Sequence, residues 1–263
     1  MRRVRHDAAA AKARDFIVVT CEHGGNRIPT EYASLFRGWH RVLGSHRGYD
    51  AGALVMAREL AAALGAPLVA STVSRLLVDL NRSLSNSRAW SAATRSLPPD
   101  ERQRVIQRHY APHHRRVRAI VDEAIASGCR VVHVASHSFT PVLDGQARTC
   151  DIGLLYDPAR RGEAVLANRW KAAFAEREPR LRVRRNYPYA GKGDGLTRSL
   201  RQRFPAARYV GIELEINQAF VRDNGRAWRD MRACVTSTLL VALGRDPART
   251  RAAGLKLPRR SAK

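Results

Sequence analysis

The sequence predicts a three-layer α/β/α domain on a mixed, mostly parallel sheet, and two observations carry that prediction. Short runs rich in Val, Ile and Leu alternate through most of the 263 residues with segments whose apolar residues recur at helical spacing. The 44% hydrophobic content is ordinary for a globular chain, so a sizeable core is available. Taken in order, strands are expected at 16–19, 67–71, 76–80, 130–136, 151–156, 181–185 and 209–216. Helices are expected at 51–64, 100–128, 163–176, 196–204 and 226–243. Within 100–128, Pro112 should kink or split the helix, because proline lacks the backbone donor and crowds the preceding turn. No internal repeat or mid-chain linker divides the chain. The expected organisation is a basic extension over 1–14, one domain over 15–244 and a basic, poorly ordered tail over 245–263.

The formal charge of +24 is the unusual number. The segments 1–14 and 245–263 carry +4 and +6 of it, which leaves +14 for the body. Such a charge attracts anions, so a small anionic substrate and non-specific nucleic-acid contact are both expected. A dedicated nucleic-acid reader is not, because aromatics make up only 6% and none interleave with the basic runs as a stacking platform. The longest apolar runs fall far short of a membrane span, so no membrane partner is expected. Lys12, Arg14 and Asp15 interrupt what would have to be the apolar core of a signal peptide, and the expected address is the cytoplasm. Cys21, Cys129, Cys150 and Cys234 lie far apart with no CxxC pair, which argues against a disulfide framework or a cysteine-held zinc cluster. Oligomeric state is not legible.

In open α/β sheets, ligands gather beyond the carboxyl ends of the strands. The polar residues that follow the apolar runs are therefore the candidate site. They are Cys21, Glu22, His23 and Asn26 after the first run, and Asn81 and Arg82 after the third. Ser136, His137 and Ser138 follow the fourth, while Glu213, Glu215 and Asn217 sit on the last. Two histidines at the ends of two strands, with a carboxylate on a third, suit a catalytic zinc site, which takes about three protein ligands and leaves a position open for water. The metal acidifies that water and polarises a carbonyl, and a separate carboxylate moves the proton. Taken singly, His23 and His137 read as hydrogen-bonded strand-end histidines; the glycines beside one and the serines around the other favour the metal. HExxH, GxSxG, GxxxxGK[ST] and a post-strand GxGxxG are all absent. Cys21 reads as packing rather than as a nucleophile. Gly193 and Gly195 make the KGDG stretch (192–195) read as a flexible loop. Arg75 offers a planar fork matched to a carboxylate, against the alternative of a surface arginine in an arginine-rich chain. His114 is either a pocket-lining residue or a helix-face histidine.

Six stretches, in order, resemble the N-formylglutamate amidohydrolase family: CEHGGNRIP (21–29), HRGYDAGA (46–53), SRLLVDLNRS (74–83), the segment 110–114, ASHSF (135–139) and IELEINQ (212–218). The resemblance spans about 16–243. It implies hydrolysis of N-formyl-L-glutamate to formate and glutamate, one zinc ion, and a phosphorylase/hydrolase-like fold related to zinc carboxypeptidases and aspartoacylases. It makes His23 and His137 zinc ligands. Those relatives take their third ligand from a Glu three residues after the first His; Asn26 stands at that position here, so Asp50 is expected as the carboxylate ligand. Glu215 corresponds to the general base, with Glu213 expected on the opposite face of the strand. Arg75, Asn81 and Arg82 correspond to the grip on the substrate carboxylate, and Asn26 and His114 are expected beside them. Two rivals stand: the same zinc chemistry on another N-acyl amino acid or small peptide, and a non-catalytic basic protein that docks on nucleic acid.

Overall fold

A computed structural model describes residues 15–221 and 225–248. The expected extension at 1–14, and the expected tail beyond 248, lie outside the described residues. In chain order, β1 (Asp15–Cys21) leads through α1 (His40–Leu43) to α2 (Ala53–Leu64) and β2 (Leu68–Ala70). After an irregular segment come α3 (Pro99–Val105), α4 (Ala111–Ala126), β3 (Arg130–Phe139) and a hairpin of β4 (Val142–Leu143) and β5 (Gln146–Ala147). Then follow β6 (Ile152–Leu155), α5 (Arg161–Arg177), β7 (Val183–Arg185), α6 (Leu196–Arg203), β8 (Tyr209–Asn217) and α7 (Arg226–Ala242).

Six strands form one sheet in the order β2-β1-β3-β8-β6-β7. Every pairing is parallel except β6 with β8, so the sheet is mixed and mostly parallel, as expected. Side chains alternate faces along a strand. Even-numbered residues of β3 and β8 (Val132, Val134, Ile212, Leu214) pack with α2, α5 and α7, where Met56, Trp170 and Trp228 are fully or almost fully buried. On the other face Val131 and Tyr209 pack with Val117, Ile120 and Val121 of α4 and Leu200 of α6. Three layers result. Among the described residues no helix is long and apolar enough to cross a membrane.

Two expectations are corrected. Residues 76–80 are not a strand but a sequence of turns. Ser74 Oγ accepts from the Leu76 amide and Asp79 Oδ1 from the Asn81 amide, and these local bonds displace a ladder. Leu76, Leu77, Val78 and Leu80 instead bury in a separate cluster with Phe36 and Trp90. The 100–128 stretch is neither one kinked helix nor two separated ones: a π-helical segment over Ile106–Tyr110 joins α3 to α4. Pro112 falls at the second residue of α4, directly after that π-helical segment. The β4–β5 hairpin was not expected; its Asp144-Gly145 turn has both residues at positive φ, +50° and +77°, as a two-residue hairpin turn demands.

Candidate active site

Three loops converge at the carboxyl ends of β1, β3 and β8. Past Cys21 the chain turns against the segment after β2, with the Gly24 amide bonded to the Ser71 carbonyl at 3.0 Å. A side chain at Gly24 or Gly25 would place Cβ 2.8 Å from the Ser71 oxygen or 2.7 Å from the Thr72 oxygen, so both glycines permit a close backbone approach. The His23 carbonyl accepts from the Asp50 amide at 2.9 Å, which ties the loop ahead of α2 to the first loop. Gly52, at φ +79°, supplies the left-handed turn between Asp50 and that helix.

His23, Asp50 and His137 are buried, and one ligand atom from each lies within 4.8 Å of the others. Both imidazoles present Nδ1 to Asp50 Oδ2, at 3.3 Å from His23 and 2.9 Å from His137. Each far nitrogen meets a second carboxylate. His23 Nε2 lies 2.7 Å from Asp79 Oδ1, and His137 Nε2 lies 3.0 Å from Glu22 Oε2 as an ion pair without hydrogen-bond alignment. Glu22 also takes a contact from His113 Nε2 at 3.3 Å. A carboxylate behind an imidazole fixes its tautomer and ring angle and raises its basicity, as second partners do around metal-binding histidines. This donor set fits a metal of zinc type: two nitrogens, one carboxylate oxygen and room for a fourth ligand.

The electrostatics follow from burial and pairing. Burial works to raise Asp50 and Asp79, yet both lie below the usual carboxylate range: His23 and His137 hold Asp50 down, and Arg75 and His23 hold Asp79 down. Burial likewise works against Glu22, but contacts from His113 and His137 hold it well below. Burial also disfavours the charged form of His137, and Asp50 and Glu22 outweigh it, raising its pKa. Cys21 is buried in the apolar cluster, and burial pushes its thiol well up, consistent with packing.

A cavity of about 330 Å³ opens in front of this cluster. Glu215 pairs with His137 across the β3–β8 register and faces the same cavity. Its Oε2 is buried without a hydrogen-bond partner. Burial raises Glu215 to about 8, with His137 opposing and Asp50 and Glu213 reinforcing the rise. The expectation that Glu213 points to the opposite face is wrong. Residues two apart on a strand share a face, and Glu213 lines the same cavity while accepting from the Thr197 hydroxyl. A larger recess, about 410 Å³, lies against the Arg130–Asp15 ion pair at the other end of the sheet, and none of the candidate ligands lines it.

The expected substrate residues separate into two groups. Arg75, Asn81 and Arg82 line the cavity. Arg75, however, is engaged: its Nε and Nη2 donate to Asp79 Oδ2 at 3.1 and 2.6 Å, and Nη1 stands 3.5 Å from Asp50 Oδ1. Asn81 Oδ1 accepts from the Leu196 amide at 2.8 Å and so anchors the start of α6. Arg82 Nη1 donates to the Asp194 carbonyl at 2.5 Å. The structure does not bring Asn26 and His114 to the cavity. Asn26 is exposed and donates to the Leu43 carbonyl, because its loop has already turned away from the sheet. His114 stacks on Tyr110 and bonds the Leu80 carbonyl at 2.9 Å, lining a neighbouring recess beyond Arg82. The KGDG stretch is not free: Asp194 Oδ2 accepts from the Ser83 amide and from Asn86 Nδ2. Sequence reasoning missed Asp79, although a carboxylate inside the apolar run LLVDL was a signal; it also missed His46 and Tyr189 on the cavity wall.

Comparison with known proteins supports the fold and gives the family. The sequence profile of the N-formylglutamate amidohydrolase family matches residues 16–222. The crystal structure of the gene product Atu2144 from Agrobacterium tumefaciens superposes with a TM-score of 0.76 at 32% identity, covering 88% of this chain and 92% of that one. N-formylglutamate amidohydrolase from Ralstonia eutropha JMP134 superposes with a TM-score of 0.65 at 20% identity, covering 92% of this chain and 96% of that one, a likeness of fold. No curated sequence gives a significant match. With most of its length inside the family profile, the chain belongs to the N-formylglutamate amidohydrolase family, hydrolases of amide bonds.

Proposed function

We propose that this protein is a zinc-dependent amidohydrolase that removes the acyl group from an N-acyl amino acid, with N-formyl-L-glutamate the first substrate to try. The observation that carries the reading is the convergence of His23, Asp50 and His137 beside Glu215, a buried carboxyl with an unpartnered oxygen. One zinc ion held by those three ligands supplies an acidified water and a polarised carbonyl. The remaining work falls to the chain's own residues. Glu215 accepts the proton of the attacking water and returns it to the leaving amine as the amide C–N bond breaks. A carboxyl that is not itself a metal ligand and faces the cavity suits both halves of that transfer. Asp79 and Glu22 hold the imidazoles in register, and Arg82 holds the substrate carboxylate, so that the scissile amide is presented at a fixed distance. A cavity of about 330 Å³ suits a molecule the size of an acylated amino acid rather than a folded partner.

The test is product analysis on purified protein with N-formyl-L-glutamate and N-acetyl-L-glutamate. Formate and glutamate released in equal amounts, abolished by a chelator and restored by zinc, is the expected result. Acetate release without formate release shifts the reading to another acyl group. No release from either removes it.

A further inference from the structure

Metal binding and proton transfer leave one carboxylate of the cavity without a task. Asp50 joins the two histidines, Glu215 faces them, and Asp194 is committed to the Ser83 amide and to Asn86. The remaining carboxylate on the cavity wall is Glu213. Across the sheet it stands opposite Ala135 of β3 and Leu155 of β6, where Glu215 stands opposite His137 and Gly153. Residues paired across adjacent strands project from the same face, so Glu213 has apolar flanks on both sides. Among the described residues it makes no ion pair, and its one hydrogen bond comes from the Thr197 hydroxyl to Oε1. Thr197 is buried in the first turn of α6 and fixes the orientation of the carboxylate. Oε2 has no donor from the protein. A half-buried carboxylate with apolar flanks is costly until something donates to it. Its position says which part of a substrate could do so. Asn81 Oδ1 bonds the Leu196 amide at the start of α6, and the neighbouring Arg82 bonds the Asp194 carbonyl, so the α6 start brings Arg82 and Glu213 to the same end of the cavity. A substrate held by its α-carboxylate at Arg82 presents its amino-acid part, not its acyl group, to Glu213.

We infer that Glu213, oriented by Thr197, is a specificity-determining residue that accepts a hydrogen bond from the side chain of the substrate's amino acid. The side chain it favours carries a donor, an amide or an ammonium, and a side-chain carboxylate is disfavoured by like charge. This inference rests on the amidohydrolase reading and deepens it: N-formyl-L-glutamate is a usable substrate, and its side-chain amide, N-formyl-L-glutamine, is the better one.

The experiment compares N-formyl-L-glutamine with N-formyl-L-glutamate, which share a shape and differ in donor and charge, and adds calorimetric binding of the two free amino acids. The wild type is expected to prefer the glutamine compound by about tenfold or more in kcat/KM, through KM. Glu213→Gln keeps the shape and removes the charge. It should bring the ratio within about twofold of one by lowering KM for the glutamate compound, a gain that a merely structural role would not give. Thr197→Val, which removes the orienting hydroxyl at nearly constant volume, should narrow the ratio part of the way. A wild type that prefers the glutamate compound, or does not discriminate, overturns the inference. So does a Glu213→Gln variant that slows both substrates equally through kcat, which would assign Glu213 to the support of Glu215. If no amide is cleaved but L-glutamine binds more tightly than L-glutamate in a Glu213-dependent way, the amidohydrolase reading falls and the donor-accepting site stands. Neither cleavage nor binding overturns both.

Discussion

The inner and outer halves of the cavity are built on opposite principles. On the inner side, His23, Asp50 and His137 are almost completely buried, and each imidazole has a carboxylate against both nitrogens. On the outer side, Arg82, His46 and Tyr189 are partly or largely exposed, and none of them pairs with a carboxylate of the inner cluster. The inner half has one arrangement available to it, since moving any ring would strand a buried charge. The outer half can adjust to what enters. Chemistry that must be held to a fraction of an ångström sits where packing is dense, and recognition sits where side chains reach over solvent. Glu215 stands at the boundary, buried by the sheet yet with an oxygen left open toward the cavity.

That division can be broken at graded cost. The largest effect is expected from Glu215→Gln, which keeps shape and removes the proton acceptor: kcat should fall by about 10²- to 10⁴-fold with metal content unchanged, measured by formate release. Full activity in that variant would remove Glu215 from the reaction.

A second test reaches the layer beneath the inner half. His133 bridges Thr20 Oγ1 at 2.8 Å and Tyr209 Oη at 2.7 Å, fully buried, and burial lowers its pKa from 6.5 to about 4. The unfolded chain therefore binds the extra proton first. The stabilising contribution is complete above pH 6.5 and is lost as pH falls toward 4, about 3 kcal/mol over that window. Thermal unfolding followed from pH 7 to 4.5 should show a steeper loss in the wild type than in His133→Asn; parallel curves would contradict the assignment.

Asp79→Asn separates holding a ligand from being one. Metal affinity, read by competition with a chelator, should weaken by about 10- to 100-fold without disappearing. The smallest expected effect is that of Gly195→Ala, whose new methyl would stand 2.6 Å from Asn81 Oδ1. It should cost about 1 kcal/mol in thermal stability and raise KM more than it lowers kcat, since only the outer wall shifts.

The same division governs what the sequence reveals. β1, β3 and β8 are legible because buried parallel strands read as continuous Val and Ile runs, and their ends mark His23, His137 and Glu215 directly. Residues 76–80 carry the same apolar signature, yet Ser74 and Asp79 bond locally and turn the chain, which hydropathy does not report. The placement of Glu213 was decidable from periodicity alone. The commitment of Arg75 to Asp79 was not, because a long side chain's partner depends on which loops meet in space. His114 and Asn26 failed for a related reason: nearness in the motif is not nearness to the cavity once a helix face or a turn intervenes.

The central claim is the three-ligand metal site, and elemental analysis tests it most directly. Protein purified without a metal-affinity tag should carry about one zinc per chain, lost on His23→Ala, on His137→Ala and on Asp50→Ala, and kept in Glu215→Gln. Metal absent from the wild type, or retained in the ligand variants, would contradict the site and the reaction built on it.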